Sequence, residues 1–186
     1  MEKYAIIVVD MIKDNLKDET RPGIGQQAAI IIPRLQFLLS EARRRGWTVI
    51  YACDSFMPED FIFRGRMVPH ALRGTPGVEV VESLRPRAGD LVLEKRSMSA
   101  FFRTDLDLTL RYRGIEAVGV TGISTPYCVL LTALDAVANG FRATIVEDCC
   151  AAHKEEVHRA TLEIYRRSPL YPLFRVLTAE EFLAHP

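Results

Sequence analysis

The chain has 186 residues, 48% of them apolar and 26% charged, and its 24 basic residues balance its 24 acidic ones. That length predicts a single domain over residues 1–186, and the composition excludes collagen-like, coiled-coil, disulfide-scaffold and disordered chains. A formal net charge of zero and a pI near 6.9 lack the basic excess of a nucleic-acid or membrane-surface binder.

In chain order, short apolar runs alternate with longer segments of helical period. Tyr4–Val9, Thr48–Cys53, Leu91–Glu94, Ala117–Thr121 and Ala143–Val146 read as strands, with Phe174–Leu177 a weaker sixth. None alternates polar with apolar residues, the pattern of a parallel sheet covered on both faces. Between the first two strands, Leu35, Leu38, Leu39 and Ala42 make one apolar stripe. Arg43, Arg44 and Arg45 suit the negative end of that helix, and Gly46 can take a left-handed cap. Pro33 either opens the helix or kinks it. A second helix carries Leu130, Ala133, Leu134 and Val137 and stops at Asn139–Gly140, with Pro126 in its first turn; a third covers about Lys154 to Arg167. This alternation predicts right-handed βαβ crossovers and a three-layer α/β/α sandwich around a mainly parallel, about six-stranded, Rossmann-like sheet. Asp54–Gly77 is a long irregular stretch, a length usually reserved for function.

Cys53, Cys128, Cys149 and Cys150 form no CxxC pair, which disfavours zinc-ribbon and thioredoxin-like sites. The opening residues do not read as a signal peptide, and no apolar run approaches the ~20 residues of a membrane span. The expectation is a cytoplasmic protein with reduced thiols. Cys149 and Cys150 read as inert packing residues.

Three motifs look like sites and read otherwise. Gly23-Ile24-Gly25-Gln26-Gln27-Ala28 matches a dinucleotide fingerprint, but a polar stretch separates it from the strand, so it reads as a loop. Gly122-Ile123-Ser124-Thr125-Pro126 lacks the second glycine of a nucleophile elbow. His153 and His158, five apart, do not share a helix face.

In open α/β sheets, sites form beyond the carboxyl ends of the strands. That rule selects Asp10, Asp54, Lys95 and the Gly122–Cys128 turn. A thiol attacks a carbonyl as thiolate, so Cys128 needs its pKa lowered, and Lys95 and the helix start are placed to do that. Asp10 can take the thiol proton and later deliver it to a leaving amine. Arg64, Arg66 and Arg73 lie in the long loop, where a carboxylate could be held or the charge simply solvated. Phe101, Phe102 and Tyr127 are candidate pocket walls.

The segments VVDMIKD (8–14), LEKRSMSAFFRTDLD (93–107), VTGISTPYCVLLTALDA (120–136) and VEDCCAAH (146–153) resemble the isochorismatase-like cysteine hydrolases. That family includes nicotinamidases, N-carbamoylsarcosine amidases and isochorismatases. The resemblance implies an Asp10–Lys95–Cys128 triad. It also implies a cis Ile123–Ser124 peptide and an oxyanion hole made by the Ser124 and Cys128 N–H groups. The implied activity is C–N hydrolysis of a small amide, nicotinamide-like or carbamoyl-amine, with Asp54, Phe56, Arg64, Phe101 and Tyr127 at the substrate. The alternatives are vinyl-ether hydrolysis of isochorismate type and a catalytically silent binding or assembly module. The chain departs from nicotinamidases where they hold a metal through Asp-x-His and a later His: it has Asp54-Ser55-Phe56 and His70. It also has Ile12 and Asn15 where they usually have Gln and Phe. No metal and no other cofactor are expected. A homodimer or homotetramer is, with Leu170, Tyr171, Leu173 and Phe174 as the apolar surface.

Overall fold

A computed structural model of the chain describes residues 3–17 and 23–186. Among these, six strands form one parallel sheet: β1 (Tyr4–Val9), β2 (Thr48–Asp54), β3 (Leu91–Lys95), β4 (Ala117–Ile123), β5 (Arg142–Ala151) and β6 (Phe174–Leu177). Their order is β3-β2-β1-β4-β5-β6. The chain therefore builds outward from β1 to one edge, returns to the centre at β4, and builds outward again. The switch point lies between β1 and β4, where a crevice opens at the carboxyl ends.

Five α-helices cover the sheet: α1 (Ile24–Arg44), α2 (Leu106–Tyr112), α3 (Leu130–Ala138), α4 (Glu155–Arg166) and α5 (Ala179–Ala184). One apolar core joins the sheet to α1 and α5, and a second joins its other face to α2, α3 and α4. The expected α1 stripe of Leu35, Leu38, Leu39 and Ala42 is buried to 1% exposure or less. Each of its leucines contributes roughly 1.5–3 kcal/mol by leaving water.

Several expectations are corrected. The Gly23–Ala28 segment, expected to be a loop, opens α1: Gly23 takes a left-handed φ of 78° at the N-cap, and Ile24, Gly25 and Ala28 are buried. The reason is visible in the spacing, because Ile24, Ala28, Ile31 and Leu35 extend the same stripe upstream. Part of the polar stretch before it, residues 18–22, lies outside the described residues. Pro33 neither starts the helix nor ends it; it sits inside α1. Strand β3 is an edge strand with Val92 57% exposed, so it is not covered on both faces as expected. Helices α2 and α5 went unread. The second carried a signal, a capping box in which Thr178 accepts from the Glu181 N–H and Glu181 returns to the Thr178 N–H. Phe174 belongs to the core against Tyr165, whereas Tyr171 and Leu173 are exposed.

Candidate active site

Four strand ends converge at the switch point. Asp10 ends β1 in the left-handed region (φ 56°), which turns the chain out of the sheet and is tolerated better by Asp than by bulkier residues. Its N–H donates to the Ala52 carbonyl (2.9 Å), and Asn15 Nδ2 donates to the Asp10 carbonyl (3.1 Å). Lys95 ends β3, paired in register with Asp54 at the end of β2. Cys128 lies in a single π-turn, Thr125–Val129, that joins β4 to α3, a local distortion common at functional sites.

Asp10, Asp54 and Lys95 form one buried cluster, with the half-buried Cys128 beside it. Lys95 is 1% exposed; its Nζ donates to Asp10 Oδ2 (2.9 Å), Asp54 Oδ1 (2.5 Å) and the Ser97 carbonyl (3.1 Å). Asp10 Oδ1 accepts the Asp54 N–H (2.8 Å). Ligand atoms of Asp10, Asp54 and Cys128 all lie within 4.8 Å of one another. The close approach of β1 to β4 depends on Gly122, opposite Val9: a Cβ there would lie 2.1 Å from the Val9 carbonyl oxygen. The Ile123–Ser124 peptide is cis.

Charge follows from this packing. Burial, then the Asp54 carboxylate, raises Asp10 to about 7 against the pull of Lys95. Burial opposes the Lys95 charge, but the Asp10 and Asp54 carboxylates more than offset it and hold the ammonium protonated far above its usual range. The expected lowering of the Cys128 pKa is corrected. Burial and two nearby carboxylates outweigh Lys95 and push the thiol up. The resting group is therefore a thiol beside a base that titrates near neutrality. The thiols of Cys53, Cys149 and Cys150 are buried and likewise pushed up by burial.

The residues for a nicotinamidase-type metal do not fit one. Asp54 is bound to the Lys95 ammonium. Phe56, fully buried, presents carbon where a ligand would stand, and packs edge-on against Phe63 and His70 at 5.3 and 5.8 Å. His70 Nδ1 donates to the Val68 carbonyl (2.8 Å). Among the described residues, the only three-residue group of metal-ligating type is Asp10, Asp54 and Cys128, and the Lys95 ammonium already lies between its carboxylates.

The other expected pocket residues separate. Phe101 is core, 6.0 Å from Phe141, and its neighbour Phe102 lines the cavity beside Lys95 instead. Arg64 and Arg73 line that cavity; Tyr127 is 54% exposed next to Cys128. Three residues named in the sequence make contacts there that the sequence did not reveal. Asn15, 1% exposed, holds the turn after Asp10, and Ile12, fully buried, bridges to Val80. His158, on α4, hydrogen-bonds Thr125 at the start of the π-turn (2.9 Å). Sequence spacing carried no signal for that contact, because it joins residues of separate elements.

The fold is an α/β/α sandwich around a parallel sheet, and its relatives place it among hydrolases acting on non-peptide C–N bonds. The isochorismatase domain family matches residues 4–181, and the chain belongs to the isochorismatase family. It is 30% identical over 169 residues to a maleamate amidohydrolase of Pseudomonas putida, covering 86% of this chain and 78% of that one. Its structure resembles an N-carbamoylsarcosine amidase from Thermoplasma acidophilum (TM-score 0.79, 33% identity, 96% and 97% of the chains covered). It also resembles a nicotinamidase from Bacillus subtilis (TM-score 0.82, 30% identity, 94% and 99% covered).

Proposed function

We propose that the protein hydrolyses the C–N bond of a small amide through a thioester on Cys128. The observation that carries this reading is a half-buried thiol within 4.8 Å of a carboxylate raised to about 7, which is itself paired with a buried ammonium. A base of that pKa is matched to taking a proton at neutral pH. Related proteins named as amidases of maleamate, nicotinamide and N-carbamoylsarcosine support the same reaction class.

In the proposed sequence, Asp10 accepts the thiol proton as Sγ bonds to the amide carbon. The carbonyl electron pair moves onto oxygen, which the Ser124 and Cys128 N–H groups receive. Each such donor is worth about 3–4 kcal/mol in comparable hydrolases. Lys95 stabilises the sulfur while it is anionic. As the C–N bond breaks, Asp10 returns the proton to nitrogen and the amine leaves. Asp10 then deprotonates a water that adds to the thioester, and the S–C bond breaks to give the acid and the thiol. Asp54 holds Lys95 in place. No metal enters this sequence. The reading includes one domain over residues 1–186, a cytoplasmic setting and a homodimer or homotetramer. No helix among the described residues is long and apolar enough to cross a membrane.

The test is a panel of small amides assayed for ammonia or amine release, with a limiting thiol electrophile followed by peptide mass spectrometry. The expected results are a burst of amine ahead of acid and labelling of Cys128 before the other three thiols. Cys128→Ala abolishes turnover with the fold intact, and Asp10→Asn is nearly as damaging. Wild-type turnover by Cys128→Ala would overturn the covalent route.

A further inference from the structure

One buried titratable side chain, His158, has no part in the proposed chemistry. Helix α4 buries two residues, His158 and Leu162, one turn apart on a single stripe. Such a stripe calls for apolar side chains, and an imidazole there gives up its water at a cost unless its nitrogens are bonded. Burial lowers the His158 pKa against the pull of Glu155 and Glu147, and Arg166 lowers it too, so the ring is neutral at pH 7. Its Nδ1 lies 2.9 Å from the hydroxyl oxygen of Thr125, which is itself fully buried.

Thr125 opens the π-turn that carries Cys128, one residue after Ser124 and three before the thiol. By itself the turn is weakly held. Its N-cap residue, Ser124, makes no side-chain capping bond, and Pro126 has no N–H to give. The Tyr127 and Val129 N–H groups share one acceptor, the Ser124 carbonyl, at 3.0 and 3.3 Å. Pins lie on either side of it: Gly122 against the Val9 backbone, and in α3 the Thr132 hydroxyl, which accepts the Ala100 N–H (3.0 Å). Between those pins His158 holds the turn through Thr125. A threonine is stiff about χ1, so fixing its hydroxyl fixes the backbone beneath it.

We infer that His158 is a positioning residue for the proposed hydrolysis: through Thr125 it fixes the π-turn so that Cys128 Sγ stays beside Asp10 and the Ser124 and Cys128 N–H groups hold their places. The inference rests on the reading of Cys128 as nucleophile. His158 acts from α4, through Thr125, and touches no reacting atom. Misplacing a reacting group by about 1 Å costs on the order of a hundredfold in rate, so one buried hydrogen bond is enough to matter. The ranking of substitutions separates this role from packing. If His158 only filled space, Leu would suit the α4 stripe and the smaller Asn would not. If its nitrogen positions the turn, Leu fails and Asn, whose side-chain amide stands where Nδ1 stood, serves.

The experiment follows alkylation of Cys128 by iodoacetamide at pH 7 with peptide mass spectrometry, which needs no turnover. His158→Leu and Thr125→Val, which remove the same bond from opposite sides, are each expected to slow it by about fivefold or more. His158→Leu/Thr125→Val should be no slower than either single variant, because both delete one interaction. His158→Asn and Thr125→Ser should stay within about twofold of wild type. On nicotinamide or maleamate, whichever the wild type hydrolyses, His158→Leu should lower kcat by about tenfold to a hundredfold and leave KM within about twofold. If His158→Leu does not fold by circular dichroism, the isosteric Thr125→Val decides. Alkylation as fast as wild type or faster in the Leu and Val variants, losses that add in the double variant, or an Asn variant as slow as Leu would overturn the positioning role while leaving a reactive Cys128. Wild-type Cys128 alkylated no faster than Cys53, Cys149 and Cys150 overturns the nucleophile reading, and this one with it.

Discussion

Replacing Lys95 by Met tests the electrostatic account of the site most directly. Met keeps the length of the side chain and removes an ammonium that serves three acceptors at 2.5–3.1 Å. What remains is a pair of carboxylates, 2% and 4% exposed, with no cation between them. Breaking a buried ion pair from one side costs about 3–5 kcal/mol, against a total stability of roughly 5–15 kcal/mol. With a urea m-value of about 2 kcal/mol/M, the unfolding midpoint should fall by about 1.5–2.5 M near pH 7.5. The pH dependence carries the sharper signature. Without Lys95, burial and the Asp54 carboxylate raise Asp10 with nothing pulling against them, so the folded variant binds more protons than the folded wild type. An acid raised in the folded state destabilises above its unfolded pKa, and that loss is recovered as pH falls through the folded value. The stability gap should therefore narrow by about 1.4 kcal/mol per pH unit for each extra proton bound, roughly 1.5–3 kcal/mol between about pH 7.5 and pH 5.5. Lys95→Met/Asp54→Asn, with one charge fewer to bury, should recover about half of the loss. A Lys95→Met midpoint equal to wild type, or a gap that does not change with pH, would refute the reasoning.

Turnover of a small amide should rise with pH through about 7 as Asp10 ionises, because only its carboxylate accepts a proton; Asp54→Asn, which removes a raising influence, should move that limb of the kcat/KM profile to lower pH. Gly122→Ala should cost about 3 kcal/mol or more in urea unfolding, since its Cβ meets the Val9 backbone, whereas Gly46→Ala, with open space around the Cβ, should cost about 1–2. Elemental analysis should find no stoichiometric zinc or iron; one tightly held ion per chain would contradict the reading of Phe56 and Asp54. Light scattering at micromolar concentration should give two or four times 21.0 kDa, and one times that mass would reject self-association.

How much of this was legible depends on the range of the interaction. The strands appear in the sequence because β1 and β4 are buried along their whole length, which leaves a continuous apolar run. Edge strand β3 is less clear, since half of it faces solvent. Asp10, Lys95 and Cys128 stand out because a rule about strand ends selects them before any contact is known. The direction of the Cys128 pKa was misjudged for a related reason: proximity to Lys95 can be guessed from topology, but the desolvation that outweighs it belongs to the assembled interior. Asn15 and His158 stayed hidden because their significance is a contact, and a contact leaves no spacing in the chain. Gly23–Ala28 shows the opposite failure, where a motif drew attention from the ordinary helical stripe beneath it.

The buried ammonium also has an evolutionary consequence. Lys95 fastens the outermost strand to the centre of the sheet, joining β3 to β1 across β2, at a point where β3 has a neighbour on one side only. A lineage drifting toward a silent protein has little access to this position by single steps. Losing the lysine first strands two acids in the interior; losing an acid first leaves the lysine's charge short of a counterpart. Retirement of the chemistry then requires three distant codons to change nearly together, toward a set of uncharged side chains of similar volume. In descendants of this chain, Asp10, Asp54 and Lys95 should be kept or replaced as a set, while Cys128, which carries no charge at rest, is free to disappear alone.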